Sequence, residues 1–198
     1  MIDLLSHPAT VELPTVKKGL EEAAESECPL MQRSEITLIF GKISPIIEVH
    51  EQIISRLRKI LDNWTNDGDV AQVWVDAYED LNRVYVPYSN AYDTAREKLI
   101  LADKASPRLH AFIRAKECNS NFNRNTMQDL LIRPVQRLPT LIVLLRELQK
   151  RRDRKSEIVE RAIASIDKIV SRANDVRAQN DNFIEQLHFF NEVEGVPV

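Results

Sequence analysis

Leu130-Leu131-Ile132-Arg133-Pro134-Val135-Gln136-Arg137-Leu138-Pro139 decides how the chain is read. The run lies inside an apolar, helix-patterned segment from about Met127 to Leu148. Each proline removes an amide donor and crowds the preceding turn. The segment is therefore predicted to be a kinked or late-starting helix. Arg133, Gln136 and Arg137 stand among apolar neighbours. Polar groups in that setting need internal partners or an interface. The plainer alternative is that they are exposed residues on a helix whose other face is core.

Helical spacing extends in both directions from this run. From Ser34, a predicted N-cap, apolar residues recur at steps of three and four: Ile36, Ile39, Phe40, Ile43, Ile46, Ile47, His50, Ile53, Ile54, Leu57, Ile60 and Leu61. That spacing predicts one long amphipathic helix, bent or restarted at Pro45 and stopped at Asn66-Asp67-Gly68. A second long pattern runs from Val70 to Leu99, with a bend expected at Pro87. Pro107 opens a short helix, and residues 117 to 125 read as an asparagine-rich loop. The last pattern starts near Ser156 and continues for about 30 residues, longer than a typical globular helix. The first thirty residues are acidic and weakly patterned. Met1 to Leu5 reads as the tail of a helix, and 9 to 33 as a loop with a short helix. No alternating strand pattern competes, so the fold expected is an all-α bundle of long, kinked helices.

Bulk composition excludes several classes. With 198 residues the chain fits one domain, and its 43% apolar fraction argues against disorder. Only 4 glycines favour long helices over many tight turns. A net charge of −3 gives no overall bias towards nucleic acid. Cys28 and Cys118 form neither a disulfide framework nor a zinc pattern, which points to a reducing, cytoplasmic setting. No run approaches the ~20 apolar residues of a membrane span, and the N-terminus has no signal-peptide pattern. The Asn63-Trp64-Thr65 sequon then reads as chance.

Enzymatic motifs are missing. There is no P-loop and no HExxH. Glu185 and His188 form one Glu-x-x-His, whereas a di-iron bundle needs two such pairs and two further glutamates. Asn63-x-Thr65-x-Asp67-Gly68 suggests a calcium loop, but Trp74 stands where its bidentate glutamate belongs. No metal or cofactor is expected. His50 reads as a hydrogen-bonded core histidine. Lys150, Arg151, Arg152, Arg154 and Lys155 form the one dense basic run. It reads either as a solvated helix end or as a site for anionic lipid or an acidic partner.

Four blocks, in order, resemble the Dbl-homology (DH) domains of Rho guanine nucleotide exchange factors. They are Ile39-Phe40-Gly41 with Val49-His50; Tyr85-Val86-Pro87-Tyr88 with Tyr92; Phe112, Leu130 to Pro139 and Leu144-Leu145-Arg146-Glu147-Leu148; and Ala173-Asn174-Asp175. The resemblance covers roughly residues 30 to 198. It implies a DH-type elongated bundle that binds a Rho-family small GTPase between its switch regions, displaces magnesium and releases GDP. No covalent chemistry, hence no enzyme in that sense, is implied. Carried over by position, Gln136, Arg137, Asn174 and Asp175 belong to the GTPase surface, with Arg133 and Thr140 beside them. Thr140-Leu141-Ile142 stands where the family often has Lys-Tyr-Pro, so a lysine contact is missing. Leu138-Pro139 and the ending Phe190 to Pro197 look most like the cytokinesis exchange factors of the Pebble/epithelial-cell-transforming group, which implies a RhoA-like partner. Met1 to Leu5 matches only the tail of the family's first helix. The resemblance therefore implies an N-terminally incomplete first helix, weaker exchange than with that helix restored, and no pleckstrin-homology domain in this chain. The competing reading is a helical scaffold that binds proteins without catalysing exchange.

Overall fold

A computed structural model describes residues 8–26, 28–62, 68–150 and 156–174. The helices are α1 (Pro8–Ala24), α2 (Arg33–Phe40), α3 (Ile43–Asp62), α4 (Gly68–Asp76), α5 (Tyr78–Ala105), α6 (Pro107–Glu117), α7 (Met127–Leu131), α8 (Arg133–Lys150) and α9, the helical residues 157–174. A 3₁₀ turn at Ser120–Phe122 lies between α6 and α7. Among the described residues there is no strand, and the all-α bundle expected from the periodicity is the fold found.

Helix α5 is the spine. It packs against α2, α3, α4, α6, α7 and α8. Leu81, Val84, Tyr85, Tyr88, Tyr92, Ala95 and Leu99 give it a buried stripe at helical spacing. Ile36, Ile39 and Phe40 of α2 meet the same core, as do Val159, Ala162, Ile166 and Ile169 of α9. Trp74 is 2% exposed, so the side chain at the would-be calcium position is a core residue.

Three boundaries differ from the sequence reading. The helix expected from Ser34 is two helices, because α2 stops at Phe40 and α3 begins at Ile43. Gln32, not Ser34, is the N-cap of α2, in a capping box with Glu35. The Gly41 amide donates to the Thr37 carbonyl, and a Cβ on Gly41 would run into that same oxygen, so the joint needs glycine. Pro45 thereby falls in the first turn of α3, where a missing amide costs little. Secondly, the break in the next pattern lies at Ala77, between α4 and α5. The helix continues through Pro87, which is exposed, so water can serve the carbonyl the proline leaves free. Thirdly, residues 9 to 33 are mostly the 17-residue α1. Leu13, Val16 and Leu20 are buried at steps of three and four, while Lys17–Glu21 and Lys18–Glu22 pair along its outer face. Met1 to Leu5 and the last helix expected beyond Asn174 lie outside the described residues.

Candidate functional site

The signature run forms two helices that meet at Ile132, which keeps a helical backbone (φ −77°, ψ −18°). Thr126 starts α7: its hydroxyl accepts from the Asp129 amide, while the Asp129 carboxylate accepts from the Thr126 amide. Met127, Leu130 and Leu131 are buried. Pro134 enters as the second residue of α8, where no intrahelical donor is required. At the joint, the Tyr88 hydroxyl donates to the Leu131 carbonyl at 2.6 Å, buried. A tyrosine of the spine therefore fixes the angle at which α8 departs. The late-starting helix expected from the two prolines is what forms.

Helix α8 buries Leu138, Leu141, Ile142 and Leu145. Arg133, Gln136 and Thr140 are exposed, and Arg137 is half-buried. Arg133 donates to the Asn125 side-chain oxygen at 3.2 Å. The Thr140 hydroxyl donates back to the Gln136 carbonyl at 2.8 Å, which fixes its rotamer. These four residues line one side of a groove of about 670 Å³. Its floor and opposite side come from Val11 and Leu13 of α1, from Tyr85, and from α3 along Ile43, Ile46, Ile47, His50, Ile54 and Arg58.

His50 and Tyr85 form the buried polar element of this groove. The His50 Nε2 lies 2.6 Å from the Tyr85 hydroxyl, with the rings edge to face. Burial, and next the Arg137 cation, lower the His50 pKa to about 4, so the ring is neutral at pH 7. Burial raises the Tyr85 pKa, and Arg137 partly opposes that rise. Burial also lowers the Arg137 pKa. Core placement of His50 agrees with the sequence reading. Its closeness to Arg137 was not read from the sequence, because the two residues are 87 positions apart and neither periodicity reports on the other.

Of the residues proposed for the GTPase surface, Arg133, Gln136, Arg137 and Thr140 are brought together here. Asn174 is exposed on α9 and is not part of the groove lining. Asp175 lies outside the described residues. In the basic run, Lys150 is exposed and pairs with Glu147 at 2.7 Å, and 151 to 155 lie outside the described residues. The sequence reading missed Tyr85, Glu51 and Arg58 as groove residues. The signal for the two on α3 was their place at steps of three and four beside His50 and Ile54.

Solved structures with the same fold include autoinhibited Vav1 (TM-score 0.80, 21% identity, 96% of this chain and 35% of that one). Another is the PDZ-RhoGEF DH/PH domains in complex with GTPγS-activated RhoA (TM-score 0.79, 21% identity, 88% and 50%). Among curated proteins, Protein ECT2 of mouse and of human is 30% identical over 181 residues, 90% of this chain. Human Rho guanine nucleotide exchange factor 17 is 27% identical over 123 residues, 61% of the chain and 6% of that protein. The chain spans a fifth of the length of ECT2. The RhoGEF domain model matches residues 11–174, from the first turn of α1 to the exposed Asn174 of α9. With the helical bundle, the α7–α8 joint and these matches in agreement, the chain belongs to the RhoGEF domain family.

Proposed function

We propose that this domain accelerates GDP release from a Rho-family GTPase, with a RhoA-like protein as the favoured partner. The observation that carries the reading is the face of α8 beside the groove. It holds Gln136 and Thr140 exposed and Arg137 half-buried, on a helix anchored to the core by Leu138, Leu141, Ile142 and Leu145. Rigid support is what a surface needs if it is to favour one conformation of its partner. Exchange requires only differential binding. A domain that binds the nucleotide-free GTPase more tightly than the GDP-bound one lowers the barrier to release, and GTP then refills the site. The groups at hand suit that task, since an amide, a hydroxyl and a guanidinium can hydrogen-bond backbone and carboxylate groups of switch segments. Preference for RhoA rests on the resemblance to the cytokinesis exchange factors and on structural neighbours solved with RhoA.

The test is release of a fluorescent GDP analogue from RhoA-, Rac- and Cdc42-type GTPases. Acceleration is expected for RhoA above the other two. Acceleration of Rac or Cdc42 instead would keep the exchange reading and overturn the RhoA preference.

A further inference from the structure

Helix α7 becomes α8 at the peptide group between Leu131 and Ile132. That group is planar, so holding its two polar ends sets the torsions on either side of it. Both ends are held. The Ile132 amide donates to the Gln128 carbonyl at 3.2 Å, back into α7. The Leu131 carbonyl accepts from the Tyr88 hydroxyl at 2.6 Å. This second hold comes from another helix, 43 residues away in sequence.

Proline gives the outside hold its importance. An unbroken helix would bond the Leu130 carbonyl to the amide of residue 134, and Pro134 has none. Packing of Leu130, Leu131 and Leu138 buries the joint, but apolar burial is not directional. Burial pushes the Tyr88 pKa up, so the hydroxyl is a donor at any pH near neutral.

From the joint, hydrogen bonds continue outward. The Ile132 carbonyl accepts from the Gln136 amide at 3.2 Å. The Gln136 carbonyl accepts in turn from the Thr140 hydroxyl at 2.8 Å. Tyr88 is 4% exposed on the spine, too deep to meet a partner, yet it is linked through this chain to two exposed residues of α8.

We infer that Tyr88 is a positioning residue for nucleotide exchange: through the Leu131 carbonyl, its hydroxyl sets where α8 presents Gln136 and Thr140 to the GTPase. This role rests on the reading under Proposed function. Misplacing such groups by about 1 Å can cost about 100-fold in rate. The loss should fall on release within the complex, because the first encounter depends on the surface as a whole.

The test is GDP release, at increasing concentrations of the 198-residue chain, from whichever of the RhoA-, Rac- and Cdc42-type GTPases the chain accelerates most. Native and Tyr88→Phe chains are compared well below both thermal midpoints, with circular dichroism to establish that each is folded. The substitution keeps the ring and removes one oxygen. The maximal rate should fall by about 10- to 100-fold, with the half-saturating concentration changed by less than about threefold. Ile113→Val, in the core of α6, should lower the midpoint to a comparable degree and leave the maximal rate unchanged. Hydrogen exchange on the native chain needs no variant: the Ile132 and Gln136 amides should exchange as slowly as those of the α5 core. An unchanged maximal rate in folded Tyr88→Phe overturns the role of Tyr88 and leaves the exchange reading standing. An equal loss in Ile113→Val, a change confined to the half-saturating concentration, or fast exchange at Ile132 and Gln136 does the same. A native chain that accelerates none of the three GTPases overturns the exchange reading, and the role of Tyr88 with it.

Discussion

An Asn174→Ala chain should lose about 10- to 100-fold in its acceleration of GDP release while keeping its stability. Asn174 is exposed near the end of the described part of α9, next to Ala173, which is 7% exposed and faces the core. Removing its amide opens no cavity, and alanine is the better helix former, so the thermal midpoint should hold. Loss of one hydrogen bond to a partner, made only as the nucleotide leaves, is worth about 1.5–3 kcal/mol when a charged group accepts it, and each 1.4 kcal/mol is tenfold in rate. Initial release rates and melting curves on the same preparations check both halves. An unchanged rate would remove Asn174 from the GTPase surface. A large fall in the midpoint would make it structural. Arg137 is a less clean probe, because its half-buried guanidinium lies beside Tyr85 and His50, and truncation there alters packing as well as contact.

Acidification from pH 7 to 4 should cost up to about 3 kcal/mol of stability through His50 alone. Its folded value is lowered to about 4, against about 6.5 for an unfolded histidine. The neutral ring is the form that folds, so between these values the unfolded chain holds a proton that the folded chain lacks. Stability from this group is complete above 6.5 and declines as pH falls towards 4, at about 1.4 kcal/mol per unit. Glu35, Asp76 and Asp129 are also lowered by hydrogen bonds, to Lys98, Gln72 and Thr126 respectively. Their losses fall in and below the ordinary carboxylate range, so the interval from 6.5 to about 5 isolates the histidine. Urea unfolding across that interval should show the slope, and His50→Gln should flatten it while lowering stability at pH 7. An identical slope in the variant would show that His50 is not the group responsible.

The two prolines of the signature run make the α7–α8 joint legible, because each has a fixed structural cost. The alternation of three and four made α3, α5 and α9 legible too. Helix α1 was hidden by Pro14 and by its acidic composition, although Leu13, Val16 and Leu20 kept a helical step. The joint at Gly41 is not legible in the sequence because the apolar period passes through it unbroken. What closes it is a steric fact, the Thr37 carbonyl beneath Gly41, that no period encodes. Phe122 shows the same limit from the other side: it is wholly buried, yet sits in an asparagine-rich segment that reads as a loop. For the site, Arg133, Gln136, Arg137 and Thr140 came from one run of sequence, and the fold keeps them on one helix. The groove opposite them depends on which part of the α3 stripe the neighbouring helices leave uncovered, so α3 alone cannot announce it.

The most direct test of the exchange reading is the affinity of this chain for RhoA in two states, GDP–Mg²⁺-bound and nucleotide-free. Differential binding predicts that the nucleotide-free form binds far more tightly, by about 100-fold or more if the difference is to drive release, which is about 2.7 kcal/mol. Equal affinity for the two states, with helical content intact, would contradict it and leave a scaffold that holds the GTPase without exchanging its nucleotide.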